Sequence, residues 1–89
     1  MPERTVTVAS KVGLHARPAA VFVKKASEIS LPVTLAKNGG QPVSARSMLA
    51  VMSLDVRNGD EVLLSAEPAD GAEEALDQLA LLLETDLDG

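Results

Sequence analysis

The segment Gly13-Leu14-His15-Ala16-Arg17-Pro18-Ala19-Ala20 decides how this chain is organised. It reads as a loop turning into a helix. Gly13 permits a tight turn. Pro18 falls in the first helical turn, where its missing N–H breaks no intrahelical bond. Downstream, Ala19, Phe22, Val23 and Ala26 follow the i, i+3, i+4, i+7 spacing of one buried face. That spacing predicts a helix over Ala16 to Ala26. Upstream, Thr5-Val6-Thr7-Val8 alternates and is rich in β-branched residues, which predicts a strand.

Working towards the C-terminus, Pro32 to Lys37 reads as a second strand, and Asn38-Gly39 is a strong hairpin signal. A third, weak or edge strand is expected near Gln41 to Val43, because Pro42 cannot donate to a ladder. Met48, Val51 and Met52 line one side of a short helix over residues 47–53. Asn58-Gly59 marks another turn, and Glu61 to Ala66 a fourth strand. A last helix is predicted to begin at Asp70, with Asp70 and Glu73 as a capping-box-like start. Its buried stripe is Ala72, Ala75, Leu76, Leu79, Ala80 and Leu83. The order βαββαβα implies one domain over residues 1–89 with two layers: a four-stranded sheet covered on one side by helices.

Composition narrows the function. Apolar residues make up 46% of the chain, yet Phe22 is its one aromatic, so the core must be aliphatic. Without aromatic platforms the chain does not suit single-stranded nucleic acid. It holds no cysteine, which excludes disulfides and thiolate metal sites. No apolar run approaches the length of a membrane helix, and no signal-like segment opens the chain. A cytoplasmic protein is expected. The net charge of −5 is split: residues 1–46 carry seven Lys/Arg against two acids, whereas residues 47–89 carry Arg57 against eleven acids. His15, the single histidine, therefore lies in the basic half, which suits phosphate and acidic partner surfaces.

At or beside a helix start, His15 would adjoin the N–H groups of Ala16 and Arg17, which lack intrahelical acceptors. The positive end of the helix dipole and the Arg17 fork suit phosphate oxygens. The same positive potential disfavours imidazolium, so a neutral ring with a free lone pair is expected near neutral pH. A lone surface histidine of no special role is the competing reading. One histidine, no cysteine and no second catalytic group argue against a hydrolase, and neither a metal nor a cofactor is expected.

Gly-Leu-His-Ala-Arg-Pro-Ala at 13–19 resembles the active-site signature of the HPr family, the histidine-containing phosphocarriers of the bacterial phosphoenolpyruvate-dependent sugar phosphotransferase system. The resemblance covers nearly the whole chain. It implies an α+β fold, an open-faced β-sandwich with a four-stranded antiparallel sheet and three helices on one face. It implies a carrier rather than an enzyme: His15 would accept phosphate on Nδ1 from phosphorylated enzyme I and pass it to sugar-specific IIA domains. Arg17 matches the family's phosphate-contacting arginine. No membrane insertion is implied, and a monomer is expected.

A second segment, Arg46 to Leu54, resembles the region around the regulatory serine of Gram-positive members, and Ser47 falls on that serine. Two readings stay open for Ser47: phosphorylation by a serine kinase that changes the choice of regulatory partners, or simple capping of the short helix, as for Ser44. Met48 and Leu49 are assigned to the partner-docking face that the resemblance implies, and Met52 to the core. The chain departs from the family at Val12, where relatives often carry a small polar residue, and at its longer C-terminus.

Overall fold

The computed structural model describes residues 2–9, 11, 13–14, 16–37 and 39–85, with Ala16 described in its backbone alone. The elements run β1 (Glu3–Thr7), α1 (Ala16–Glu28), β2 (Val33–Lys37), β3 (Val43–Ser44), α2 (Met48–Ser53), β4 (Glu61–Ala66) and α3 (Ala72–Glu84). The predicted βαββαβα order is the observed one. The strands form one sheet in the order β1-β4-β2-β3, with every pairing antiparallel.

Register and side-chain alternation put one face of this sheet under the helices. Val6 faces Val62, Leu35 faces Leu64 and Val33 faces Ala66, and all six are buried. Their neighbours Glu61, Leu63 and Ser65 alternate to the other, more open face, as the two-residue period of a strand requires. From α1, Ala19, Phe22 and Ala26 enter the same core, and Val23 packs on its rim. Burying Phe22 contributes on the order of 2 kcal/mol. α3 buries Ala72, Ala75, Leu76, Leu79, Ala80 and Leu83, the stripe read from the sequence.

The differences from expectation have local causes. β1 begins at Glu3 rather than Thr5 because β4 offers Ser65 and Leu64 as partners to Glu3 and Arg4. Polar residues on an edge strand carry no apolar alternation to reveal them. β3 is Val43–Ser44, on the other edge of the sheet, and starts after Pro42. The turn before it closes through Gly40 N–H to the Lys37 carbonyl at 2.7 Å, while Asn38 lies outside the described residues.

The capping-box start at Asp70 is corrected. α3 begins at Ala72, its N-cap is Gly71 at φ 83°, and no side chain caps it. Gly71 takes the left-handed conformation that a residue with Cβ resists, which places Asp70 one residue too early. Glu73 and Glu74 instead lie in the first turn, where carboxylates complement the helix dipole. Among the described residues no helix is long and apolar enough to cross a membrane.

Candidate functional site

The approach to α1 is built on the backbone of a distant loop. Gly13 adopts φ 71°, and a Cβ there would collide with the Val56 carbonyl oxygen and come within 2.6 Å of Arg57 Cα. Only glycine lets the two backbones meet this closely. The next residue, Leu14, is buried and donates its N–H to the Val56 carbonyl at 2.9 Å. Two residues past Leu14 in sequence, Ala16 opens α1, and Pro18 is buried in the first turn. His15 and Val12 lie outside the described residues.

Residues 55–60 form the platform. Asp60 N–H donates to the Arg57 carbonyl at 3.0 Å, closing the Asn58-Gly59 turn. The Asp60 carboxylate accepts from Arg57 N–H at 2.9 Å and lies 3.3 Å from Lys37 Nζ. Lys37 Nζ also donates to the Asp55 carbonyl at 2.8 Å. Asp55 itself holds a left-handed backbone at φ 53°, and its side chain takes the Arg57 guanidinium at 3.0 Å. The bond from Arg57 N–H, then the Lys37 ammonium, lower the Asp60 carboxyl below its ordinary value. The Asp55 carboxylate raises the Arg57 guanidinium in turn. None of these residues stood out in the sequence except through the Asn-Gly turn; the missing information was which segment that turn would touch.

The tertiary structure also sharpens the charge argument. Arg4 pairs with Asp77, Arg46 donates to the Ile29 carbonyl at 2.6 Å, and Lys37 and Arg57 belong to the platform. The other four basic residues, Lys11, Arg17, Lys24 and Lys25, all lie on α1 or the loop leading to it. Arg17 is exposed and pairs with no carboxylate among the described residues. Arg17 thus lies exposed in the first turn of α1, whose leading N–H groups lack intrahelical acceptors.

α2 packs beside α1. Ser47 is its N-cap, and Ser47 Oγ accepts from Ala50 N–H at 3.3 Å. Ser44 Oγ instead accepts from Arg46 N–H at 3.2 Å, which organises the turn before the helix. Leu49 is 84% exposed, whereas Met48 and Met52 are half-buried against the core. The expected docking pair thus divides: Leu49 stands fully in solvent and Met48 sits at the core's rim. A groove of about 330 Å³ between Lys25, the α3 residues Gln78, Leu81 and Leu82, and Thr85 just past the end of α3 lies towards the other end of α1. Among the described residues no cluster of His, Cys, Asp and Glu is arranged to hold a metal.

Known proteins with this fold and sequence agree on one family. The family model described as "PTS HPr component phosphorylation site" matches residues 2–85. The chain is 51% identical over 83 residues to the phosphocarrier protein HPr of Streptomyces coelicolor, covering 93% of this chain and 88% of that one. It is 41% identical over 87 residues to the HPr-like protein Crh of Bacillus subtilis, covering 98% and 100% of the two chains. The crystal structure of HPr-C-His from Thermoanaerobacter tengcongensis superposes with a TM-score of 0.89 at 42% identity, covering 100% of this chain and 98% of that one. These matches run nearly end to end, through the Gly13 loop, α1 and α2 alike, and the chain accordingly belongs to the HPr family: it is a phosphocarrier of the phosphotransferase system rather than a catalyst.

Proposed function

We propose that His15 takes a phosphoryl group from phosphorylated enzyme I and passes it to sugar-specific IIA domains. The supporting observation is the anchorage on both sides of that residue in sequence: Leu14 bound to Val56, and α1 opening at Ala16 with Arg17 exposed and paired with no carboxylate among the described residues. In the uptake step the lone pair on Nδ1 attacks phosphorus. The Nδ1–P bond forms as the bond from phosphorus to the donor breaks, and its electron pair leaves with the donor. The amides of Ala16 and Arg17 and the Arg17 guanidinium steady the equatorial oxygens. Transfer onward to a IIA domain follows the same path in the opposite sense.

Incubation with phosphoenolpyruvate and enzyme I tests this reading. A single phosphohistidine signal is expected in the ³¹P spectrum, and none from His15→Ala. Labelling of the His15→Ala protein under the same conditions would refute the assignment.

Ser47 supports a second role in the same molecule, phosphorylation by an ATP-dependent serine kinase that changes partner choice. Its hydroxyl caps α2 two residues before the exposed Leu49, so a phosphate there would alter the charge of the proposed docking surface. A kinase that labels wild type and His15→Ala but not Ser47→Ala supports this role; equal labelling of Ser47→Ala removes it. We also infer a single-domain, monomeric, cytoplasmic protein. Leu49 and Leu81 are the large apolar side chains exposed among the described residues, fewer than the apolar patch that marks a stable interface contains.

A further inference from the structure

We propose that Asp60 is a positioning residue for the carrier site, acting through the 55–57 backbone on Gly13 and Leu14. The proposal rests on the reading of His15 as the residue that carries phosphate. Among the described residues Asp60 makes no hydrogen bond or ion pair with Arg17. Its carboxylate oxygen Oδ2 faces both Arg57 N–H, at 2.9 Å, and Lys37 Nζ, at 3.3 Å. One atom thus ties the platform loop to itself and to the end of β2.

The same loop is pinned at two more points. Lys37 Nζ donates to the Asp55 carbonyl at 2.8 Å, and the Asp60 carbonyl accepts from Val8 N–H at 3.0 Å. Residues 55 and 57 are therefore held on either side of Val56. The Val56 carbonyl is what Leu14 N–H meets, and it is also the atom that leaves no space at Gly13. A displacement of residues 55–57 must move Gly13 and Leu14 with it, because the two backbones are in direct contact. Leu14 is covalently joined to His15, so the displacement reaches the peptide that leads into α1. Phosphoryl transfer depends on the position of the attacking atom far more than on new covalent chemistry, so a loop that sets this position sets the rate.

Three variants of the full chain test the assignment: Asp60→Asn, Asp60→Ala and Lys37→Met. The asparagine keeps one oxygen for both donors and removes the charge; the alanine removes oxygen and charge together. Amide shifts of Gly13 and Leu14, and the titration midpoint of the single histidine, are read by NMR. Transfer from phosphorylated enzyme I is measured alongside. Asp60→Asn is expected to match wild type at Gly13 and Leu14. Asp60→Ala is expected to move both amides and the histidine midpoint, and to lower kcat on the order of tenfold with KM within about twofold. Lys37→Met moves the same amides less, and it carries the test if Asp60→Ala does not fold. Indistinguishable Asn and Ala variants, or unmoved Gly13 and Leu14 amides in Lys37→Met, overturn the proposal. Should wild type take up no phosphate at all, the reading of His15 falls, while the amide shifts still decide whether Asp60 positions the loop.

Discussion

Leu14 donates its backbone N–H to the carbonyl oxygen of Val56 at 2.9 Å, across 42 residues of sequence, and this bond seats the start of α1 on the loop before β4. A carrier has to present one atom to a donor and then to an acceptor in the same place. The bond joins the presenting loop to the segment that leads into β4, an inner strand of the sheet, and inner strands are the least mobile part of such a fold.

Gly13→Ala tests that seat. The methyl would enter the Val56 carbonyl, and the left-handed backbone alone costs an alanine roughly 1–2 kcal/mol. With the collision added, a loss of about 2 kcal/mol or more is expected, visible as a melting temperature lower by roughly 10 °C. Phosphoryl uptake should fall as well. A melting temperature within a degree of wild type would show that the loops separate without cost.

Arg17→Ala is expected to leave the fold intact, because the side chain is exposed and pairs with no carboxylate among the described residues. Transfer should slow by at least about tenfold, some 1.4 kcal/mol of barrier, and the phosphohistidine should hydrolyse faster. Arg17→Lys should recover part of the rate, since it restores charge without the planar fork. Stopped-flow transfer and phosphohistidine lifetimes by ³¹P NMR read both effects.

Ser47→Ala removes the bond to Ala50 N–H and should cost about 1 kcal/mol. Ser47→Asp should recover most of it, since aspartate caps as well as serine. Urea midpoints decide this, and histidine phosphorylation is expected to proceed normally in Ser47→Ala. A neutral Ser47→Ala would mean that the 3.3 Å contact contributes nothing to stability.

Leu49→Ala separates docking from folding. At 84% exposure the side chain contributes little to the core, so stability should stay within about 0.5 kcal/mol. If Leu49 meets partners, KM for the carrier should rise with enzyme I, with a IIA domain, or with both. Unchanged KM values towards both would remove Leu49 from the docking surface.

The pH dependence of stability follows from Asp60. Its carboxyl is lowered from 3.8, first by the bond from Arg57 N–H and then by Lys37. A group depressed in the folded state binds its proton more readily when unfolded. Its contribution is therefore complete above 3.8 and is lost as pH falls through the lower folded value. The stability gap between wild type and Asp60→Asn should be flat above about pH 5 and close towards pH 2. A gap that stays constant through that range would show that the carboxylate is not held by these partners.

The local readings succeeded where the physics is local. Helical periodicity placed the buried faces of α1 and α3, since a stripe at 3.6-residue spacing has few other ways to leave water. Pro42 marked an edge strand because a missing N–H is legible in one residue. The start of α3 was misread because Asp70 and Glu73 have suitable side chains, whereas the outcome depended on the backbone of Gly71. The sign of the charge was legible as a split between halves, but not its disposition: Arg4, Lys37, Arg46 and Arg57 are occupied by groups from 2 to 73 residues away in sequence.

From residue order alone came the element sequence, the aliphatic core, and the signature Gly13 to Ala19 with its resemblance to a phosphocarrier. Each depends on neighbours within about one helical turn or one strand, where spacing translates directly into a shared face. The meeting of Gly13 with Val56, the contacts of Asp60 with Arg57 and Lys37, and the exposure of Arg17 became visible only in three dimensions. They arise from backbone packing between segments far apart in the chain, and no local spacing encodes which carbonyl a distant glycine will face.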